Sequence, residues 1–188
     1  MSFMNTEELE AIGFKSIGIN VKLSRKASIY NAENIKLGDN TRIDDFAVLS
    51  AGEGGIEVGR NVHIAVYSSL IGKGKIRLGD FVNISSRVSI YSSSDDYSGC
   101  FMTNPTVDEK YTNINISPVS IESHVIIGSG SVVLPGVHLA QGVAVGALSL
   151  IDKSFSSFVI VGGVPAKKIK NREKVLLDRE KQLRASED

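Results

Sequence analysis

The sequence has one cysteine, Cys100, no tryptophan and only four prolines among 188 residues. A single cysteine excludes an internal disulfide, which suits a reducing compartment, and we predict a cytoplasmic protein. No run of about 18 apolar residues could cross a bilayer, and the acidic start of the chain is unlike a signal peptide. Basic and acidic residues balance at 21 each, so we expect neither nucleic acid nor membrane as a partner.

The sequence does contain a regular repeat of aliphatic residues. In its second half they follow one another at a spacing of six, and a small or β-branched residue lies two positions before each following one. The aliphatic set is Ile121, Ile127, Val133, Leu139, Val145 and Ile151, and the second set is Val125, Ser131, Val137, Val143 and Ser149. Shorter runs of the same spacing are Leu37–Ile43–Leu49, Val58–Ile64–Leu70 and Leu78–Ile84–Ile90.

A period of six fits neither an α-helix nor an ordinary hairpin sheet. It fits a parallel β-helix, in which each hexapeptide forms one flat face and a turn, and each aliphatic side chain stacks inside the coil. The alternative, a sandwich with alternating strands, does not produce five consecutive steps of six.

This repeat and the ending "IVGGVPAKKIKNR" resemble the hexapeptide-repeat acyltransferases over about residues 30–170. The resemblance implies an all-β, left-handed parallel β-helix, a homotrimer with active sites between neighbouring subunits, and acetyl-CoA or another short-chain acyl-CoA as co-substrate without a metal. We divide the chain into a β-helix acyltransferase domain with an N-terminal lead-in, 1–169, and a C-terminal helix, 170–188.

Other elements follow from local signals. Asn5 and Glu8 form a capping box for a helix over residues 5–12, which Gly13 ends. Residues 16–34 are expected to lead into the coils, and residues 91–117 abandon the period as a long polar loop, a kind of segment that often carries function. A helix from about Lys170 to Ala185 is expected to cap the end of the β-helix or to pack on a neighbour.

The same resemblance indicates where the acyl-CoA would lie. Its pantetheine arm would follow a groove of small residues, Ser85, Ser129, Gly146 and Ala147. Its phosphates would meet a group of cations at one end of the prism, namely Lys153, Lys167, Lys168, Lys170 and Arg172. Lys167 and Lys170 take positions where the family often has arginine, and lysine offers a phosphate only a point charge.

The loop "SSSDDYSG" carries the expected acceptor site. Sugar O-acetyltransferases of this fold use one histidine as general base, and the position that matches it here is Asp95; a shift of one residue would place Ser94 or Asp96 there. An unshifted carboxylate is a poor base for an alcohol. A primary amine brings its own lone pair, so it needs orientation more than deprotonation.

We therefore predict transfer of an acyl group to the amine of a dTDP- or UDP-linked deoxyamino sugar, for surface polysaccharide synthesis. The loop resembles that of the nucleotide-linked amino-sugar N-acyltransferases. Asp95 would hold the amine, and Ser85 would direct its hydroxyl or amide at the thioester carbonyl. The candidate substrate-binding residues are Asp96, Tyr97, Asn104 and His63.

Two alternatives remain at this point. The first is a sugar O-acetyltransferase that uses His63 or an unexpected group as its base. The second is a non-catalytic or metal-binding β-helix protein, for which three histidines are a sparse ligand set. His124 and His138 are expected at exposed corners of the late coils.

Overall fold

Each hexapeptide of the repeat folds into one short strand and a turn, so three hexapeptides complete one triangular coil. The computed structural model describes residues 2–186. The strands up to the irregular segment are β1 (Ser16–Ile17), β2 (Lys22–Leu23), β3 (Ser28–Tyr30), β4 (Ile35–Leu37), β5 (Arg42–Ile43), β6 (Val48–Ala51), β7 (Ile56–Val58), β8 (His63–Ile64), β9 (Ser69–Gly72), β10 (Ile76–Leu78), β11 (Asn83–Ile84) and β12 (Ser89–Tyr91).

The later strands are β13 (Ser93–Ser94), β14 (Asn115–Ile116), β15 (Val119–Ile121), β16 (Ile126–Ile127), β17 (Val132–Val133), β18 (His138–Leu139), β19 (Ala144–Val145), β20 (Leu150–Ile151), β21 (Val159–Gly162) and β22 (Lys167–Asn171). Two helices, α1 (Thr6–Ile12) and α2 (Leu176–Ala185), flank them, and short 3₁₀ turns occupy Ala32–Asn34 and Glu109–Tyr111.

The strands form three parallel faces of a prism. The first face has the order β1-β4-β7-β10-β15-β18, the second β2-β5-β8-β11-β16-β19-β21-β22, and the third β3-β6-β9-β12-β17-β20. All pairs within these faces are parallel except β21 with β22. We call the turns that join the second face to the third the second corner, and those that join the third face to the first the third corner.

The core is a stack of the predicted aliphatic residues. Ile84 lies opposite Ile64 in the coil before it and Ile127 in the coil after it. None of the fifteen aliphatic residues of the predicted repeat is more than 5 % exposed, and Ser131 and Ser149 are buried with them. The inward direction of the repeat is confirmed, since dispersion and burial act on the same position of every coil.

The first coil begins earlier than predicted. Residues 16–30 are not a lead-in, because β1, β2 and β3 already pair in parallel with β4, β5 and β6. The signal was present in Ile17, Leu23 and Ile29, which also lie six apart. The helix before this coil agrees with its capping box: Glu8 N donates to Asn5 Oδ1 at 2.9 Å, and Gly13 has a φ of 79°.

The C-terminal segment differs from the prediction at both its start and its position. Residues 167–171 form β22, so Lys170 and Asn171 belong to a strand instead of the start of a helix, because this segment returns along the edge of β21 and satisfies its backbone groups. The expected boundary between residues 169 and 170 falls inside this strand. Helix α2 lies along the side of the prism, not across its end, through Glu180–His124 (2.6 Å) and Arg184–Asp80 (3.9 Å) contacts. Neither helix of residues 2–186 is long and apolar enough to cross a membrane.

Candidate active site

Small residues of successive coils stack at the second corner. Because β11, β16, β19 and β21 are in register, the turns that follow them lie one above another. The amide of Gly130 donates to the Ser86 carbonyl at 3.0 Å, and that of Leu148 to the Ser129 carbonyl at 2.9 Å. The structure thus brings together Ser85, Ser129, Gly146 and Ala147, which with Gly128 we call the small-residue groove.

Coil packing requires glycine at one of the two glycine positions of this groove but not at the other. A Cβ on Gly128 would lie 2.5 Å from the Ala147 nitrogen, so the spacing of the coils requires glycine there. A Cβ on Gly146 would find its nearest neighbour, the Val161 carbonyl oxygen, at 3.5 Å, an ordinary contact. Packing alone therefore does not require glycine at position 146.

Ser85 offers its hydroxyl only. Its backbone amide already donates to the Ile127 carbonyl at 3.0 Å, and its carbonyl accepts from the Ser68 hydroxyl at 2.8 Å. The prediction left open whether Ser85 would use its hydroxyl or its amide, and the parallel ladder already uses the amide.

The predicted phosphate-binding cations do not form one cluster. Lys167 lies opposite Gly162, at the C-terminal end of the small-residue groove, and Lys170 follows on the same exposed strand. Lys153 lies beyond β20, at the third corner, with its Nζ 6.0 Å from the centroid of the Phe155 ring. Arg172 is bound to the late coils: its Nη1 donates to the carbonyls of His124 (2.9 Å) and Gly142 (3.0 Å), and burial lowers the pKa of its guanidinium.

The loop residues open a second site, at the third corner. A cleft of about 660 Å³ lies between the short antiparallel pair β13–β14 and the outer surface of the later coils. Its lining comprises Tyr91, Ser93, Ser94, Asp95, Tyr97, Asn115, Val132, Leu134, Pro135 and Asp152. We call it the Asp95 cleft.

Asp95 and Asp96 play different parts in this loop. Asp96 Oδ1 accepts hydrogen bonds from the Ser98 amide (2.7 Å) and hydroxyl (2.5 Å), and Oδ2 accepts from Asn113 Nδ2 (3.2 Å). The bonds from Ser98 and Asn113 hold the pKa of the Asp96 carboxyl below its usual value. Asp95 is exposed, and within residues 2–186 no hydrogen bond or ion pair holds its carboxylate, which leaves it available to a ligand.

The other two predicted loop residues are placed differently. Tyr97 is 93 % exposed and lines the Asp95 cleft. Asn104 does not line it; its Oδ1 accepts from the Thr106 amide at 2.9 Å and hydroxyl at 2.6 Å, which makes it a turn former.

Among the described residues 2–186, no histidine lines the cleft. His63 lies in β8 on the second face, with Nε2 2.9 Å from Asp44 Oδ2 and Nδ1 3.2 Å from Asn83 Oδ1, so both ring nitrogens have partners. His124 lies at a corner as predicted, but it is not exposed, because its ring stacks on Phe81 (5.1 Å) beneath α2. His138 is exposed but belongs to strand β18, where it pairs with Glu122 at 2.7 Å.

Sequence reasoning missed Asp152 and Leu134 in the cleft. The register that aligns Ile90 with Val133 and Val133 with Ile151 places Tyr91, Leu134 and Asp152 one residue further along, on one outer surface. Counting from the repeat would have found them. Among residues 2–186 no group of three or more His, Cys, Asp or Glu side chains is arranged to hold a metal ion.

The two candidate sites lie at opposite ends of the third face. The small-residue groove with Ser85 is at the second corner, and the Asp95 cleft is at the third. A slim groove of small residues with lysines at its end suits an extended chain that terminates in phosphates. An unpaired carboxylate in an open cleft suits a ligand that brings hydrogen-bond donors or positive charge.

Comparisons with known proteins agree with this description. No family model matches the chain. It is 53 % identical over 186 residues, covering 99 % of the chain and 97 % of the relative, to the dTDP-4-amino-4,6-dideoxy-D-glucose acyltransferase of Escherichia coli. It is 32 % identical over 148 residues, 76 % of the chain and 71 % of the relative, to Escherichia coli K12 WbbJ, named for O-acetyl transfer in lipopolysaccharide biosynthesis.

Among solved structures, AntD, an N-acyltransferase from Bacillus cereus in complex with dTDP and 3-hydroxybutyryl-CoA, superposes with a TM-score of 0.94. It is 43 % identical, and the match covers 98 % of this chain and 97 % of that one. Solved variants of AntD carry substitutions at one serine and at an aspartate ten positions later. Ser85 and Asp95 have the same spacing here.

The fold and these comparisons thus define a left-handed β-helix acyltransferase, as the resemblance to the hexapeptide-repeat acyltransferases implied. The chain belongs to the hexapeptide-repeat acyltransferases, in the branch of the nucleotide-linked amino-sugar N-acyltransferases.

Proposed function

We propose that this enzyme transfers a short acyl group from acyl-CoA to the amine of dTDP-4-amino-4,6-dideoxyglucose or a closely similar nucleotide-linked sugar. The observation that carries the proposal is Asp95, an unpaired carboxylate in a cleft that no histidine lines. The 53 % identity to an enzyme named for that substrate supports it.

The reaction needs only groups that these residues supply. The neutral amine attacks the thioester carbonyl, so that a C–N bond forms and the C–S bond breaks. Asp95 accepts a hydrogen bond from the amine and orients its lone pair, and the Ser85 hydroxyl donates to the developing oxyanion. The departing thiolate takes the proton that the amine loses, which removes the need for an imidazole.

The positions of the two sites support an assembly of more than one copy of the chain. Ser85 and Asp95 lie at opposite ends of the third face, so we propose a homotrimer in which the Asp95 cleft of one copy meets the small-residue groove of the next. Ser129, Gly146 and Ala147 would line the pantetheine arm, and Lys167 and Lys170 would bind phosphates of CoA. Lys153, at the third corner, would join them across the interface.

Other assignments rest on position alone. Tyr97 would contact the sugar from the edge of the Asp95 cleft, and Asp96 would act by holding the loop. Asn104 and His63 are kept as candidate contacts of the sugar or nucleotide. We propose that the enzyme works in the cytoplasm, where acyl-CoA is available, and that its product feeds surface polysaccharide synthesis.

A matched pair of sugars tests the choice of acceptor. Thiol release from acetyl-CoA is measured with dTDP-4-amino-4,6-dideoxyglucose and with the dTDP-6-deoxyglucose that carries a hydroxyl at the same carbon. We expect turnover with the amine only. Turnover with the hydroxyl sugar alone would reject the proposal, and a loss of that turnover in His63→Ala would then identify the O-acetyltransferase alternative.

The substitution Asp95→Asn tests whether Asp95 belongs to the active site. It keeps the shape of the side chain and removes its charge, and we expect kcat to fall about 100-fold, the size of a lost orienting or proton-accepting group. Asp108→Asn is the control, because Asp108 lies in the same loop outside the cleft, where it accepts from the Lys110 amide. Normal turnover of Asp95→Asn would remove Asp95 from the site.

A further inference from the structure

The second corner differs on the two sides of Ser85. Toward the C-terminus it is the small-residue groove. Toward the N-terminus, long side chains project from the equivalent turns of four successive coils, and we call this set the ring stack: Lys26, Phe46, Tyr67 and Arg87. Phe46, Tyr67 and Arg87 all have left-handed backbone, with φ of 61°, 61° and 60°.

The ring stack fixes the position of the Arg87 guanidinium. The Phe46 and Tyr67 rings are stacked, with centroids 5.0 Å apart and planes 10° apart. The Arg87 guanidinium lies 5.8 Å from the Tyr67 centroid, and Lys26 Nζ lies 5.4 Å from that of Phe46. A cation over an aromatic face is attracted to it, so Tyr67 orients Arg87 two residues after Ser85.

The two cations of the stack differ in their charge balance. Lys26 is neutralised by Asp45, whose Oδ2 is 3.5 Å from its Nζ. Arg87 is exposed, and within residues 2–186 no carboxylate lies within ion-pair distance of it. The unpaired positive charge beside Ser85 is therefore that of Arg87.

The direction of the small-residue groove indicates which ligand would meet the Arg87 guanidinium. Neighbouring strands are about 4.8 Å apart, so the three coil steps from Ser85 to the Lys167 end span about 14 Å. An extended pantetheine arm on the small residues would place the phosphates of CoA at that end. The acceptor then has to extend from Ser85 the other way, over Arg87 and Tyr67.

We propose that Arg87 binds the diphosphate of the nucleotide-linked sugar, and that Tyr67 holds its guanidinium in place and borders the nucleoside. This inference rests on the proposed function. The planar guanidinium can donate two parallel hydrogen bonds to two phosphate oxygens, which a lysine ammonium cannot. The faces of both rings are already covered within the stack, so the nucleoside would meet their exposed edges.

Substitution of Arg87 tests the inference through KM. We expect Arg87→Ala to raise KM for dTDP-4-amino-4,6-dideoxyglucose about tenfold or more, since a hydrogen bond to a charged group contributes on that scale. KM for acyl-CoA should stay within about twofold. Arg87→Lys should have a KM for the sugar between those of the wild type and Arg87→Ala. Tyr67→Leu should also raise the KM for the sugar. Arg179→Ala, at an exposed arginine of α2, is the control.

Calorimetric titration with dTDP alone provides a second readout. The wild type should bind dTDP, Arg87→Ala should bind it about tenfold more weakly or not at all, and both should bind CoA equally. Thermal melting of each variant confirms that it is folded. Wild-type turnover together with an unchanged dTDP affinity and sugar KM in Arg87→Ala would overturn this inference and leave the proposed function intact.

Two other outcomes also count against it. A rise in KM for acyl-CoA instead of the sugar would assign Arg87 to the cofactor. A wild type that neither acylates the amino sugar nor binds dTDP would reject the proposed function, and this inference with it.

Discussion

Gly128 and Gly146 occupy equivalent places in successive coils, yet the structure makes different demands on them. At Gly128 an added Cβ would overlap the backbone of Ala147, whereas at Gly146 it would fit. The carbonyl of Gly146 also accepts from the hydroxyls of Ser131 (3.1 Å) and Ser149 (2.7 Å). A methyl group at position 146 would leave the coil intact, and under the proposed function it would meet the pantetheine arm.

We expect Gly128→Ala to lower the free energy of unfolding by about 1–3 kcal/mol, the usual cost of overpacking. Gly146→Ala should leave it unchanged within about 0.5 kcal/mol and raise KM for acyl-CoA. Denaturant unfolding and steady-state kinetics separate the two effects. Equal losses of stability would show that both glycines serve packing, and an unchanged KM in Gly146→Ala would place the pantetheine arm elsewhere.

At the scale of single residues, the sequence predicts where a residue lies better than it predicts whether its polar groups are free to bind a ligand. The register of the repeat is enough to place Ser85, Ser129 and Gly146 at one corner. It does not show that the Ser85 amide is used by Ile127, or that Arg172 is held by two carbonyls. Such partners come from coils or segments far apart in sequence, so they depend on the finished packing.

Helix α2 is attached to the prism mainly by charged groups. None of its described residues is buried, and its contacts run from Glu180 to His124 and from Arg184 to Asp80 and to the face of Phe81. Burial opposes ionisation of Glu180, but hydrogen bonds from Arg184 and His124 outweigh it and lower the pKa of its carboxyl from the ordinary value of 4.5.

This attachment should depend on pH. A carboxyl with a lowered pKa stabilises the folded state at pH above 4.5 and loses that contribution as the pH falls through the lowered value. We expect hydrogen-exchange protection of α2 to be constant from pH 7 to about 5 and to fall below about 4.5. In Glu180→Gln protection should be lower than in the wild type at neutral pH, nearly independent of pH, and equal to that of the wild type once the Glu180 carboxyl is protonated.

Asp178→Asn is the matched control, because Asp178 pairs only with Lys181 on the exposed side of α2, at 3.4 Å. It should keep the pH profile of the wild type. Equal protection of α2 in Glu180→Gln and wild type at neutral pH would contradict the assigned role of Glu180.

Among the elements, those that follow the period could be predicted and those that leave it could not. The coils from Leu37 onward and the capping box of α1 follow from local signals. The reversal into β22 does not, because the lysine-rich segment has no strand pattern of its own and gains its structure from the open edge of β21. Pairing with β21 therefore decides the conformation of this segment more than its intrinsic strand propensity does.

At the scale of the whole molecule, the two candidate sites lie at opposite ends of one face, and the proposed function joins them by assembly of several copies. Residues within one coil are placed by their register, but nothing in the repeat says which surface a neighbouring copy covers. The homotrimer was therefore expected from the resemblance alone, and the separation of Ser85 from Asp95 is the observation that supports proposing it.

Complementation between two inactive variants tests this arrangement. If each site takes Ser85 from one copy and Asp95 from the next, a mixture of Ser85→Ala and Asp95→Asn, unfolded and refolded together, should regain activity. With random assortment in equal amounts, about a quarter of the sites would combine two intact residues. Each variant refolded alone is the control, and no recovery in mixtures shown to contain hybrid trimers would place both residues in one copy.

The reversed strand β22 has a consequence for solubility. A β-helix that ended on a bare parallel edge would offer the next molecule the same ladder that its own following coil would have used, and such head-to-tail addition has no natural stopping point. Strand β22 covers that edge. Because it runs antiparallel to β21, it does not continue the parallel ladder, and its lysines Lys167, Lys168 and Lys170 repel a second copy. The lysines proposed to receive a cofactor should therefore also keep the protein from growing into fibres.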